Sequence, residues 1–138
     1  MNLPAISFYW KSWAAILTAA AVVKVTIAII WPTTNTSWFF CIYIVGIWLP
    51  IMVLNYVEGR SLTNFIRESQ KERWAEVSRK IGQTENWHNG FKYLRFVYSS
   101  DDLGDPEIQL KKLRYRSFIK FVLVAFFAFP VAAGLLGI

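Results

Sequence analysis

Charged and apolar residues are segregated along this chain. All nine acidic residues lie between Glu58 and Glu107, whereas long apolar runs occupy residues 12–57 and 118–138. An apolar helix of about 20 residues is long enough to cross the roughly 30 Å hydrocarbon layer of a bilayer. The segregation therefore predicts an all-α integral membrane protein, with three transmembrane helices and a small helical cytoplasmic segment.

The three spans are predicted to fall in two separate parts of the sequence. Residues 1–57 form a transmembrane hairpin whose spans cover residues 12–31 and 38–57, and residues 117–138 form the third span. A cleaved signal peptide is the competing interpretation of the first span. The late position of the first positive charge, Lys11, and the short apolar stretch ahead of the alanine run argue against it.

Lysine and arginine residues predict how the spans are oriented. Residues 58–116 hold twelve of them, whereas the turn at residues 33–37 holds none. Segments rich in lysine and arginine stay in the cytoplasm, so the amino terminus and the 58–116 segment are expected there, with the carboxyl terminus outside. The expected location is the inner membrane of a bacterium, and the membrane of a eukaryotic organelle is the open alternative.

The basic 58–116 segment is predicted to contain an amphipathic helix over residues 61–81. Ser61 is its expected N-cap and Gly82 follows its last turn. Its apolar face is a candidate surface for docking a partner, and comprises Leu62, Phe65, Ile66, Trp74, Val77 and Ile81. Two alternatives stay open for this face, which are packing against the other helices of the segment and lying on the inner leaflet.

Two further helices are predicted after the first. Residues 86–98 place four apolar side chains along one side of a helix, namely Trp87, Phe91, Leu94 and Tyr98. The sequence Asp105-Pro106-Glu107 has the residue types that begin a helix. A helix of about thirty residues is expected from there into the third span.

Lys24 is the one charged residue within the first span. Such a charge costs roughly 3 kcal/mol on insertion scales and usually faces other helices. On a helical wheel it shares a stripe with Ala20, Ala21 and Ala28, which is typical of a helix-packing face. Two interpretations remain open. Lys24 pairs with a group on another subunit, or its side chain extends to the interface near Trp31.

A run of positive charges without an acid precedes the third span and enters its first turn. Its members are Lys111, Lys112, Arg114, Arg116 and Lys120. Each such charge contributes about 1 kcal/mol of attraction to an anionic leaflet. The run is therefore expected to anchor the topology and to bind anionic lipid headgroups.

No motif predicts catalysis or a bound cofactor. The chain has one cysteine, Cys41, and one histidine, His88, which are too few for an ordinary zinc site. It also has no glycine-rich phosphate loop and no zinc-binding helix motif. Twelve basic and nine acidic residues give residues 58–116 a charge of only +3, so nucleic acid is not an expected partner.

Residues 98–125 carry a resemblance to a known family. The stretches Tyr98-Ser99-Ser100-Asp101-Asp102, Asp105-Pro106-Glu107 and Arg114-Tyr115-Arg116-Ser117-Phe118 are similar to a region of small bacterial membrane proteins of the universal stress protein B type. Those proteins also place a charged segment ahead of a carboxyl-terminal span. The present chain departs from them by having a two-span hairpin where they have one span. The resemblance implies a bacterial inner-membrane protein.

These features favour a non-catalytic function. The leading hypothesis is a small accessory subunit, or an assembly or stabilising factor, of a larger inner-membrane complex, with other integral membrane subunits as partners. The alternatives are a self-associating channel or permeabilising effector, which would be a homo-oligomer, and a component of lipid binding or small-solute transport.

Overall fold

The computed structural model describes residues 5–31, 44–84 and 87–135. Within those ranges the chain is helical and contains no β-strand, so the all-α prediction is confirmed for the described part. Five α-helices are described, which are α1 (Ile6–Ile30), α2 (Leu49–Ser69), α3 (Trp74–Ile81), α4 (Gly90–Tyr98) and α5 (Pro106–Leu135). A π-helical turn at Ile44–Trp48 precedes α2, and a 3-10 turn at Lys71–Arg73 precedes α3.

The chain divides into two compact units. The charged unit comprises Tyr56–Ile119, and the apolar unit comprises Met1–Asn55 together with Lys120–Ile138. Within the described residues, α1 is the helix that is long and apolar enough to cross a membrane, and its apolar window has no buried residue. The same length and composition would also suit a signal sequence. The predicted second and third spans extend outside the described residues, at positions 38–43 and 136–138.

The helix predicted over residues 61–81 is two helices. Helix α2 runs without interruption through Ser61 to Ser69, so the predicted N-cap at Ser61 is wrong. The chain then breaks at Gln70, whose φ is −114° and ψ is 36°. In one straight helix, Trp74 would be rotated by about 80° from Ile66. The break resets this phase, so that apolar residues of α2 and α3 face the same core.

Local side-chain chemistry sets the starts of α4 and α5. Helix α4 begins at Gly90, later than the predicted residue 86, because the Asn89 side chain accepts a hydrogen bond from the Lys92 backbone N–H at 3.0 Å. At α5 the Asp105 carboxylate accepts from the Glu107 N–H at 2.9 Å. The predicted helix of about thirty residues from Pro106 is confirmed.

The core of the charged unit lies where α2, α3, α4 and α5 meet. Its buried side chains are Leu62, Ile66, Val77, Ile81, Tyr93, Phe96, Val97, Ile108 and Tyr115. Phe65, Trp74, Leu103 and Ile119 pack against them and are partly buried. Three alternatives were open for the apolar face of residues 61–81. In the structure this face packs against the other helices of the charged unit.

Candidate functional site

The six residues predicted as a partner-docking face contribute to this core. Four are buried, namely Leu62, Ile66, Val77 and Ile81, and two are partly buried, namely Phe65 and Trp74. A surface must be exposed to receive a partner, so the docking prediction for this face is wrong. Its physical reason is the break at Gln70, which turns both halves of the face inward.

Lys112 lies inside the charged unit, with 0% of its surface exposed. Its Nζ donates hydrogen bonds to the backbone oxygens of Ser99 and Asp101, both at 2.8 Å, and lies 4.1 Å from the centre of the Phe96 ring. Burial lowers the pKa of the Lys112 ammonium to about 8, and the nearby positive charge of Arg116 acts in the same direction. The predicted contact with lipid headgroups is therefore wrong for Lys112.

Arg116 lies one turn after Lys112 on α5 and binds the same part of the chain. Its Nε donates to the Val97 oxygen and its Nη2 to the Ser99 oxygen, both at 2.7 Å. The last carbonyls of a helix lack partners within the helix and form the negative end of its dipole. Arg116 supplies such a partner to Val97 in the last turn of α4, and both Lys112 and Arg116 bind the oxygen of Ser99, which directly follows the helix. We call this pair the α4 clamp.

An ion pair joins α2 to α5. Arg114 donates from Nη2 to Glu58 Oε1 at 2.7 Å and from Nε to Oε2 at 3.1 Å. Glu58 is only 3% exposed, so its carboxylate depends on this two-pronged contact. The pair fixes the register of α5 against the beginning of the charged unit.

Two tyrosines reinforce the same junction. The Tyr93 hydroxyl donates to the Gly59 oxygen at 3.0 Å and accepts from Thr63 Oγ1 at 3.1 Å. A Cβ at Gly59 would lie 2.9 Å from the Tyr115 hydroxyl oxygen, so a larger residue there would require the Tyr115 side chain to shift. Burial raises the pKa of both tyrosine hydroxyls, and the Glu58 carboxylate raises that of Tyr115 further.

The remaining members of the predicted lipid-binding run are partly or fully exposed. Lys111 lies 3.9 Å from the Glu107 carboxylate and 4.4 Å from the centre of the Phe65 ring. Lys120 is exposed, and within the described part of the chain it makes no ion pair or hydrogen bond. Lys111 and Lys120 therefore keep the predicted lipid role as a hypothesis.

Lys24 is half-buried on α1. Over residues 5–31, 44–84 and 87–135 no acidic side chain pairs with it. Of the predicted packing face, Ala20 is half-buried, whereas Ala21 and Ala28 are exposed. Pairing with another subunit and extension to the interface both stay predictions for Lys24.

Helix α4 exposes a face that combines aromatic and basic side chains. Phe91 is 90% exposed, and the preceding loop adds an exposed Trp87. The exposed side chains of this face, which we call the α4 aromatic face, are Trp87, Phe91, Leu94 and Tyr98, with Lys92 and Arg95 beside them. The four apolar members are those predicted to share one side of the second helix. Only the structure shows that this side faces outward, whereas Tyr93, Phe96 and Val97 face the core.

Helix α5 has an exposed stripe that the sequence reasoning missed. Its members recur at alternating spacings of three and four, and are Leu110, Leu113, Ser117, Lys120, Val124 and Phe127. Leu110 is 66% exposed and Leu113 is 47% exposed. This spacing keeps side chains along one seam of a helix and is typical of contact with a second helix. The spacing was available in the sequence, but other apolar residues of α5 hid it. We call these residues the α5 stripe.

His88 and Cys41 are the two residues that the sequence analysis considered for a zinc site. His88 is exposed, and its ring lies 5.8 Å from that of Tyr93. Cys41 lies outside the described residues. Among the residues that the structure describes, no group of three or more histidine, cysteine, aspartate or glutamate side chains could hold a metal ion.

Comparison of the chain with protein-family models, with curated proteins and with solved structures gives no match. The resemblance to small membrane proteins of the universal stress protein B type therefore stays a prediction. The candidate functional features are the two exposed surfaces defined above, since the buried charges of Lys112 and Glu58 have partners within the charged unit.

Proposed function

We propose that this protein is a non-catalytic accessory subunit, or a stabilising factor, of a larger bacterial inner-membrane complex. In this proposal three spans cross the membrane, the charged unit lies in the cytoplasm and the carboxyl terminus lies outside. The α5 stripe is the observation that carries the proposal, because it is an exposed helix-packing seam without a cover among the described residues.

The position of the stripe indicates what kind of partner would cover it. The proposed third span begins near Phe118, so Leu110 and Leu113 precede the span whereas Val124 and Phe127 belong to it. Lipid can cover Val124 and Phe127 but not the exposed leucines in the aqueous layer. One partner that covers both parts must itself cross the same boundary. We therefore infer that the partner covering the α5 stripe is a transmembrane helix with a cytoplasmic extension.

The charge of Lys120 favours a different subunit over a second copy. The strong lysine and arginine bias of residues 58–116 favours one orientation for every copy of this chain. Two α5 helices meeting along the stripe would therefore be parallel, and would bring Lys120 of one copy against Lys120 of the other. Like charges in contact destabilise such a pairing. A partner helix with an acidic residue at that level would instead stabilise it.

Purification of the full-length protein in mild detergent tests this proposal. We expect a partner of different sequence to co-purify at a fixed ratio, and Lys120→Gln to weaken its retention about tenfold, which equals roughly 1.4 kcal/mol. Leu113→Gln should act in the same direction because it inserts an amide into the seam. Lys71→Gln is the matched control, since Lys71 is exposed on the turn between α2 and α3.

The opposite outcome would favour the self-associating channel. A homo-oligomer of fixed size that persists in Lys120→Gln, with no second protein present, would contradict the subunit proposal. Ion leakage from liposomes reconstituted with the pure protein would then support the channel or permeabilising function.

A further inference from the structure

We infer that the α4 aromatic face docks on the surface of an anionic lipid leaflet and holds the charged unit against the membrane. This inference rests on the three-span arrangement proposed above. The structure contradicts two other lipid contacts, which are the leaflet alternative for the 61–81 face and the headgroup contact expected of Lys112, because that face forms the core and Lys112 is buried.

The arrangement of side chains around α4 supports a membrane surface as the occupant. At about 100° per residue, Phe91, Leu94 and Tyr98 fall within an arc of roughly 60°. Arg95 and Lys92 lie along one flank of this arc, and the sequence of α4 contains no acid. Aromatic residues beside lysine and arginine are the composition of helices that lie in the membrane interface.

The α4 clamp brings this helix close to the proposed membrane boundary. Arg116 binds the carbonyl oxygens at the end of α4, and its guanidinium lies 5.6 Å from the centre of the Tyr98 ring. Only about 3 Å of helix rise separates Arg116 from Phe118, where the third span is expected to begin. The end of α4 therefore lies within one helical turn of the level at which lipid headgroups begin.

Charge complementarity favours anionic lipid over a second protein. Lys92 and Arg95 are exposed, and neither forms an ion pair within the part of the chain that the structure describes. Phosphate headgroups are the nearest abundant negative charges to a face at this height. Trp87 and Tyr98 have polar edges that suit the headgroup layer, whereas Phe91 and Leu94 can enter the acyl boundary.

Fluorescence quenching in nanodiscs tests the inference with the full chain. Cys41→Ser removes the native cysteine, and an environment-sensitive fluorophore is attached at Leu94→Cys, Glu72→Cys or Val124→Cys. Discs contain one copy each and carry doxyl-labelled lipids in either an anionic or a zwitterionic bilayer. Glu72 is the aqueous control, because α2 extends about 18 Å from Val57 to Ser69 before the turn that holds it.

We expect the label at position 94 to be quenched in anionic discs, with little quenching at position 72. Neutralising Lys92 and Arg95 to glutamine should reduce the ratio of docked to undocked protein about fivefold per residue. Val124 reports insertion of α5. Quenching at 124 with none at 94 would overturn this inference alone, whereas no quenching at 124 would overturn the three-span arrangement as well.

The fluorophore at position 94 also tests whether something other than anionic lipid covers the α4 aromatic face. A blue shift at position 94 in lipid-free detergent that grows with protein concentration would assign the face to a second copy. Equal quenching in zwitterionic and anionic discs, unaffected by the glutamine substitutions, would overturn the anionic preference.

Discussion

Several charged side chains of the charged unit form hydrogen bonds or ion pairs with other residues of the same unit. Lys112 and Arg116 bind carbonyl oxygens at the end of α4, and Arg114 binds the buried carboxylate of Glu58. Each of these residues could have been read as part of a basic surface. These contacts within the charged unit explain why only part of a basic sequence run is available to lipid or to a partner.

Lys112 should make stability depend on pH. Its folded-state pKa of about 8 lies below the ordinary value of 10.5, so between these pH values the unfolded chain binds more protons than the folded chain. The free energy of unfolding therefore rises with pH across this window, by at most about 1.4 kcal/mol per unit. Below pH 8 the cost of burying the charge is fully present.

The measurement compares the free energies of unfolding of wild type and Lys112→Met. The detergent-solubilised proteins are unfolded in urea, and circular dichroism monitors the unfolding. The variant should be more destabilised relative to wild type at pH 9.5 than at pH 7.5. The tyrosines are common to both proteins, so their titration cancels in the difference. Lys111→Met is the control. A pH-independent difference for Lys112→Met would contradict the assignment.

Glu58→Gln should destabilise the charged unit by about 2 kcal/mol, because it weakens a charge-assisted contact whose carboxylate is buried. Glu107→Gln, which removes an exposed partner 3.9 Å from Lys111, should cost no more than about 0.5 kcal/mol. Unfolding in urea measures both. Equal effects of the two substitutions would show that the Glu58–Arg114 pair is no stronger than a surface pair.

At the scale of the element, backbone conformation decides where helices end. Gly82 follows α3 with a φ of +77°, the left-handed conformation that favours glycine. A Cβ there would also lie 2.9 Å from the Lys92 Cβ and 3.0 Å from the Asn89 oxygen. Gly90, in contrast, begins α4 with no neighbour nearer than 3.8 Å to such a Cβ.

These two glycines should respond to alanine in opposite directions. Gly82→Ala is expected to destabilise by about 1–2 kcal/mol, since the left-handed conformation is strained for alanine and the added methyl group is crowded. Gly90→Ala should stabilise by about 0.5 kcal/mol, because alanine loses less conformational freedom in a helix. Thermal unfolding reports the sign of each change. Stabilisation by Gly82→Ala would be inconsistent with the conformation described.

At the scale of the whole molecule, the proposed function depends on the membrane topology. We expect alkaline phosphatase fused after Ile138 to be active and a fluorescent protein fused there to be dark, because the carboxyl terminus is proposed to lie outside. A fluorescent protein fused after Tyr98 should fluoresce in the cytoplasm. An inactive phosphatase and a bright fluorescent protein at Ile138 would contradict this topology, and with it the inference that a transmembrane partner helix covers the α5 stripe.

Two helix boundaries that depend on local sequence were predicted correctly, whereas the N-cap at Ser61 and the start of α4 were not. The start of α5 follows from Asp105-Pro106-Glu107, and the end of α3 follows from Gly82, because capping involves residues only a few positions apart. The helical conformation of α3 and α4 followed from apolar spacing, because each of these two helices buries one face. The apolar helix α1 was likewise foreseen from its length and hydrophobicity, although with a later first residue than the observed Ile6.

The sequence by itself determined the helical class, the apolar helix α1 and the concentration of charge between residues 58 and 116. The tertiary structure alone decided which faces are inside. Lys111 and Lys112 are identical in type and adjacent, yet their directions around α5 differ by about 100°, so one is partly exposed and the other contacts the end of α4. Whether a side chain is buried depends on which residues pack against it, and those residues are distant in the sequence.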